Sequence, residues 1–165
     1  MTVPAYPFRI GFGHDVHRLT EGIPLVVGGV IIPWHKGPVG HSDGDVLIHA
    51  LMDALLGAAG LRDIGSQFPD TEPALRGISS LVLLQRTMKL VSDAGFRVGN
   101  VDATVCLQEP RLSPHIPQMI GRLAPLLGVE ASRVSVKATT TEHLGFAGRG
   151  EGISASAVAL LYAAE

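Results

Sequence analysis

The 165 residues carry a formal net charge of −2 at pH 7, so general electrostatic attraction to nucleic acid is excluded, and no basic run suggests a local one. Hydrophobic residues make up 46% of the chain, yet no stretch reaches the uninterrupted ~20 apolar residues of a spanning helix. The length suits one domain over residues 1–165 with a full core, and the Ala, Val and Leu excess predicts that some surface is buried between subunits.

Met1 to Pro7 lacks a basic region followed by an apolar core, so no secretory signal or transit segment is expected there. From Phe8 to Gly13 the residues alternate as in a strand, with glycines where another backbone could approach closely. Leu25 to Pro33 reads as two short strands turning at Gly28-Gly29. Residues 45–59 read as a helix with an apolar stripe of Leu47, Leu51, Ala54, Leu55 and Ala58, capped by Ser42 and ended by Gly60. His49 falls opposite that stripe. Asp63 to Thr71 is loop chemistry, and a helix near 78–94 shows Leu81, Leu84, Met88 and Val91 on one face before Gly95 ends it.

A β-rich segment from Phe96 to Leu107 contains the single Cys106, which excludes an internal disulfide framework and the Cys-rich zinc modules and fits a reducing cytoplasm. Ser113-Pro114 is a cap and first-turn pair for a further helix, which Pro125 should end or kink early. A strand near Arg133 to Ala138 follows, and Ser154 to Ala164 reads as a small-residue helix. The expected fold is α/β (α+β): a small mixed β-sheet packed against helices, with no internal repeat and no low-complexity segment.

Chemistry concentrates first at Asp15-Val16-His17 and at His41-Ser42-Asp43-Gly44-Asp45 with His49. Residues i and i+2 of a strand share a face, so Asp15 and His17 converge. His49 would add a third ligand from a helix, and three protein ligands with an open position suit a catalytic zinc site. Asp45, one turn before, or Asp53, one turn after, could accept the other ring N–H of His49. Spacing alone leaves the bland reading open, since each His is equally placed to be a surface or satisfied core residue.

Lys137-Ala138-Thr139-Thr140-Thr141-Glu142 puts three hydroxyls and a carboxylate where a strand gives way to a loop. The hydroxyls can donate to phosphate oxygens, and Glu142 can approach a phosphate only through a cation such as magnesium; an exposed strand end is the alternative. Gly145 to Gly152 follows, with Arg149 offering a fork for an anion. It matches neither a Walker A sequence nor a dinucleotide fingerprint.

Gly13-His14-Asp15-Val16-His17, His41 to Val46, Asp63-Ile64-Gly65 with Phe68-Pro69-Asp70, and Lys137 to Glu142 followed by Gly145-Phe146 together make the chain resemble the 2-C-methyl-D-erythritol 2,4-cyclodiphosphate synthase family, from about Arg9 to the last element. The resemblance implies a lyase of the non-mevalonate isoprenoid route, in which 4-diphosphocytidyl-2-C-methyl-D-erythritol 2-phosphate becomes the cyclic diphosphate and CMP leaves. It implies Zn2+ on Asp15, His17 and His49, and Mg2+ or Mn2+ on Glu142. His41 and Thr140 would hydrogen-bond transition-state phosphate oxygens. Ser42, Asp63, Ile64, Gly65, Phe68, Pro69 and Asp70 would hold the methylerythritol phosphate. Leu107, Gln108, Glu109, Pro110, Arg111, Leu112 and Ser113, with Ala138, Thr139 and Thr140, would form the cytidine pocket, and Thr141 would also bind substrate.

The same resemblance implies a homotrimer with active sites between subunits, and an axial cavity near Phe146, Arg149 and Glu151 able to hold an isoprenoid diphosphate. Two positions depart from the family pattern. Phe12 and His14 stand where many members have the aromatic and the His exchanged, which bears on packing beside the zinc, and Arg111 replaces a common Lys, keeping charge but changing geometry. A metal-dependent phosphohydrolase would use the same ligands but release inorganic phosphate. A non-enzymatic isoprenoid-diphosphate binding protein would keep the Arg149 cavity without needing His49.

Overall fold

The computed structural model describes residues 7–164, so the reading of Met1 to Pro7 lies outside it except for Pro7. Strand β1 (Phe8–Glu21) runs well past the predicted opening strand. A hairpin of β2 (Leu25–Val27) and β3 (Val30–Ile32) turns at Gly28-Gly29 as expected, both with positive φ, and β4 (Lys36–Pro38) returns beside β1.

Helix α1 (Val46–Ala59) ends at Gly60, whose φ of 75° is the left-handed conformation that favours glycine. Its N-cap is Asp45 rather than Ser42. The Asp45 carboxylate accepts from the backbone N–H groups of Ile48 at 3.1 Å, Gly28 at 3.0 Å and Gly29 at 2.7 Å, so one buried side chain caps the helix and pins the hairpin to it. Within the helix all residues but Asp53 and Gly57 are buried, so no solvent face lies opposite the apolar stripe, and His49 is itself buried.

The short α2 (Ile64–Gln67) interrupts the expected loop, with Asp63 as its cap. Helix α3 (Ser80–Asp93) buries Leu83, Leu84, Thr87 and Val91, while Leu81 and Met88 pack at its margin. β5 (Phe96–Cys106) follows, then a short 3-10 turn at Ser113–His115 and α4 (Ile116–Leu127). Ser113-Pro114 therefore opens the turn and not the helix. Pro125 neither ends nor shortens α4, because it sits in the last turn, where its missing N–H forfeits a single bond before the left-handed Gly128 stops the helix. Strand β6 (Val134–Thr139) matches the expectation, and α5 (Gly145–Gly148) is one turn long.

The expected terminal helix is instead β7 (Gly152–Ala163), the middle strand of the sheet. Ile153, Ala155, Ala157, Ala159 and Leu161 are all buried, a period of two that the helix propensity of alanine hid in the sequence. The sheet order is β4-β1-β7-β5-β6; β1, β5 and β7 pair antiparallel, and β5 with β6 parallel. It is a mixed sheet packed against helices, as predicted.

Small residues set the layer spacing. Gly11 pairs with Ala159 and Gly13 with Ala157, and α1 lies directly on this patch. A Cβ at Gly11 would lie 1.9 Å from the Ala54 carbonyl oxygen. The opposite sheet face carries Ile10, Phe12, Val16, Val158 and Tyr162, all exposed, with Ile10 at 64% and Phe12 at 66%. Among the described residues no helix is long and apolar enough to cross a membrane.

Candidate metal centre and phosphate pockets

Alternation along β1 sends Gly11, Gly13, Asp15 and His17 toward α1. Because the glycines let α1 settle closely, His49, which follows one turn after the Asp45 cap, reaches the two strand ligands. Asp15 Oδ2 lies 2.8 Å from His17 Nε2 and 3.1 Å from His49 Nδ1, and the two ring nitrogens are 3.2 Å apart. Four ligands about 2.0–2.1 Å from zinc would be separated by roughly 3.3 Å along each tetrahedral edge, close to this spacing. An oxygen and two imidazole nitrogens are also the donors zinc accepts, so the residues fit the ion.

The histidines present opposite ring nitrogens. His17 Nδ1–H donates to the Val39 carbonyl at 2.8 Å, which leaves Nε2 for the centre. In His49 it is Nδ1 that faces Asp15, while Nε2 lies 3.0 Å from both Ser42 Oγ and Ser80 Oγ. The expectation that Asp45 or Asp53 accepts this ring N–H is therefore corrected. Asp45 is turned away under the hairpin, and Asp53 accepts from the Ile64 backbone N–H at 2.8 Å. Ser80 and its partner Asp43 carried no predicted role, although Asp43 lies within the His41 to Asp45 stretch singled out in the sequence; for Ser80 the one available signal was that it directly follows Ser79, the side chain that caps α3.

Burial acts to raise the Asp15 pKa, but hydrogen bonds and charge from His17 and His49 outweigh it and hold the carboxyl down at about 2. Burial acts to lower that of His17, but the Asp15 carboxylate wins and raises it above its ordinary value. The Asp15 carboxylate and the His17 imidazolium thus favour one another's charged forms when no metal lies among the triad.

The triad opens into a cavity of about 340 Å³ lined by His41, Ser42, Ile64, Gly65, Phe68, Pro69 and Asp70 among others. Asp63 is exposed and not part of this lining, its carboxylate accepting from the Ser66 N–H at 2.8 Å. Leu107 to Ser113, Ala138, Thr139 and Thr140 line a separate cavity of about 460 Å³. The two cavities share no lining residue. Just beyond the second one, Thr141 Oγ1 donates to the Leu144 carbonyl at 2.6 Å, and Glu142 is exposed with φ 51°.

Phe146 and Glu151 border a third cavity of about 520 Å³. The exposed Arg149 guanidinium instead pairs with Glu151 at 2.9 Å and lines a neighbouring pocket with Trp34 and Lys36. His14 bonds Ser156 across the open sheet face, on the side away from the triad, and Phe12 shares that side. The exchange of these two residues therefore does not alter packing at the metal ligands.

The family model described as the YgbB family matches residues 8–162. The chain belongs to this family. A 2-C-methyl-D-erythritol 2,4-cyclodiphosphate synthase of Porphyromonas gingivalis is 61% identical over 158 residues, covering 96% of this chain and 98% of that protein. The synthase of Syntrophobacter fumaroxidans is 58% identical, covering 93% and 96%. A solved 2C-methyl-D-erythritol-2,4-cyclodiphosphate synthase bound to CDP superposes with a TM-score of 0.85 at 42% identity, covering 93% of this chain and 99% of that one. The bifunctional IspDF of Campylobacter jejuni gives 0.92 at 42% identity over 97% of this chain, which spans 43% of the bifunctional one.

Proposed function

We propose that this YgbB-family chain is an enzyme of the non-mevalonate isoprenoid route that converts 4-diphosphocytidyl-2-C-methyl-D-erythritol 2-phosphate to 2-C-methyl-D-erythritol 2,4-cyclodiphosphate. A 2-phosphate oxygen bonds to the β-phosphorus, the bond from that phosphorus to the bridging oxygen breaks, and CMP leaves with that oxygen. The observation that carries the reading is the triad of Asp15, His17 and His49 opening into a cavity, in a chain about 60% identical to synthases along nearly their full length.

Nucleophile and electrophile belong to one substrate molecule, so the protein's task is to fold that molecule into line and to offset charge. No side-chain nucleophile is needed. Asp15, His17 and His49 would hold Zn2+. Glu142, a single exposed carboxylate beside Thr hydroxyls, would hold Mg2+ or Mn2+, hard ions that favour carboxylate oxygen. When bound, the two ions supply Lewis acidity and neutralise the opposing phosphates. His41 donates to phosphate oxygens from the mouth of the triad cavity and Thr140 from the second cavity, where charge develops in the transition state.

Ser42, Ile64, Gly65, Phe68, Pro69 and Asp70 cradle the methylerythritol phosphate, with Asp63 ordering that loop. Leu107 to Ser113, with Ala138 and Thr139, receive the cytidine, and Thr141 also binds substrate. Backbone groups there read the cytosine edge, and Arg111 lies within reach of an anion. The triad and the Thr140 pocket are separate cavities in one chain, which supports their joining into one site between neighbouring subunits. A homotrimer burying the exposed sheet face of Ile10, Phe12 and Val16 supplies that arrangement. Phe146 and Arg149 then border an axial cavity able to take an isoprenoid diphosphate, and the whole chain acts as one domain in the cytoplasm.

Phosphorus NMR of the reaction with the cytidyl substrate tests the activity. CMP together with a cyclic diphosphate is expected; inorganic phosphate would instead make the protein a phosphohydrolase.

A further inference from the structure

We infer that Asp43 and Ser80 are positioning residues that dictate which nitrogen of His49 faces the metal. The inference rests on the reading of Asp15, His17 and His49 as a zinc site. A neutral imidazole has one N–H and one lone pair, and its neighbours decide which nitrogen has which. For His17 the decision is automatic, because its Nδ1 faces the Val39 carbonyl, which can only accept. His49 has no such partner once a metal lies among the triad, because its Nδ1, which faces the Asp15 carboxylate at 3.1 Å, is then the ligand. Its Nε2 faces two hydroxyls, Ser42 and Ser80, and a hydroxyl can donate or accept.

Asp43 removes that ambiguity. The Ser80 hydroxyl donates to Asp43 Oδ1, so its hydrogen is committed and only its lone pairs remain to face His49. Ser80 Oγ must then accept, Nε2 must carry the hydrogen, and Nδ1 keeps its lone pair for the metal. The carboxylate itself is held by the backbone N–H of Ser80 at 2.8 Å and of Asp45 at 3.1 Å, so it cannot swing away. Ser80 is fully buried, which keeps water from replacing it as the acceptor. The order is carboxylate, hydroxyl, imidazole, each fixing the polarity of the next. Ser42 also accepts from the Gly44 N–H at 3.4 Å and lines the cavity, which leaves its own hydrogen free to point toward substrate.

The test is a double-mutant cycle read as zinc affinity, by chelator competition, on the wild type, Ser80→Ala, Asp43→Asn and the double variant. Each single variant should bind zinc about 10–100-fold more weakly, as expected when the partner of a liganding His is lost. The decisive arm is the double variant. If Asp43 acts through the Ser80 hydroxyl, Asp43→Asn should add at most about twofold once that hydroxyl is gone. A carboxylate that merely ties the loop to the start of α3 would act through the Ser80 backbone N–H, which alanine retains, and the two losses would multiply. The His49 Hε2 proton of the zinc-loaded wild type should also exchange slowly with water, and fast in Ser80→Ala. Multiplying losses, or Ser80→Ala affinity within twofold of wild type, would overturn the inference. Wild-type protein that binds no zinc would overturn the metal site as well, whereas zinc binding without CMP release would count only against the proposed activity.

Discussion

Gly13 of β1 faces Ala50 of α1 so closely that a Cβ at position 13 would stand 1.9 Å from the Ala50 carbonyl oxygen. Both the strand and the helix carry metal ligands, Asp15 and His17 on one and His49 on the other, so this contact sets the distance across which the triad closes. Gly13→Ala should push the layers apart, destabilise the fold by roughly 1–3 kcal/mol or more, and weaken zinc together with it. Thermal unfolding and zinc titration on the purified variant check this. Unchanged melting and unchanged zinc affinity would mean that the layer spacing does not control the site.

The triad should respond to pH in opposite senses with and without metal. Asp15 is held at about 2, below its ordinary 3.8, so its contribution is present above that ordinary value and is lost as pH falls toward 2. His17 is raised above 6.5, so its contribution is complete below 6.5 and is lost as pH climbs through the raised value. Metal-free protein should therefore draw most stability from the pair between about pH 4 and 6.5 and lose it above. Zinc requires His17 Nε2 without its proton, so zinc-loaded protein should gain over the same rise. Melting temperatures of chelator-treated and zinc-loaded samples should diverge with pH, and parallel curves would contradict the argument.

Asp45→Ala should be among the more damaging single changes. The carboxylate satisfies the N–H groups of Gly28, Gly29 and Ile48, and Gly28 and Ile48 are buried, so alanine orphans donors that water cannot reach. Each such donor costs about 1–3 kcal/mol. Urea unfolding should show a loss of several kcal/mol in total, and hydrogen exchange at Gly28 and Gly29 should accelerate more than the global loss accounts for. A loss below about 1 kcal/mol would mean that the hairpin relaxes to water.

Two inactive variants should restore each other. In the proposed trimer, His49→Ala would break the triad half of each site and Glu142→Gln the half proposed for magnesium, so each variant alone should be nearly inactive. Trimers refolded from a mixture should contain interfaces whose two contributing halves are both wild type, and CMP release should reappear. Light scattering would establish that trimers form. Mixed trimers no more active than the separate controls would place both metals on one chain.

Much of the centre was legible in order along the chain. Asp15 and His17 follow from the period of two in a strand, Gly28-Gly29 from the left-handed turn it must make, and Gly60 from the helix end. These are local rules, decided within a few residues. The motif resemblance added the grouping of Leu107 to Ser113 with Ala138 to Thr140, which do line one cavity.

Tertiary structure decided what local rules leave degenerate. Ser154 to Ala164 is rich in a strong helix former, yet it is the middle strand, because β1 and β5 pair with it on either side and α1 covers its small residues. His49 met neither carboxylate one turn away. Asp45 was needed beneath the hairpin and Asp53 at the start of α2, while the hydroxyls that do meet Nε2 come from Ser42 and from Ser80, 31 residues further on. The i to i+4 rule describes neighbours on a helix surface, and once α1 is buried on nearly every side its polar partners are chosen by whatever packs against it.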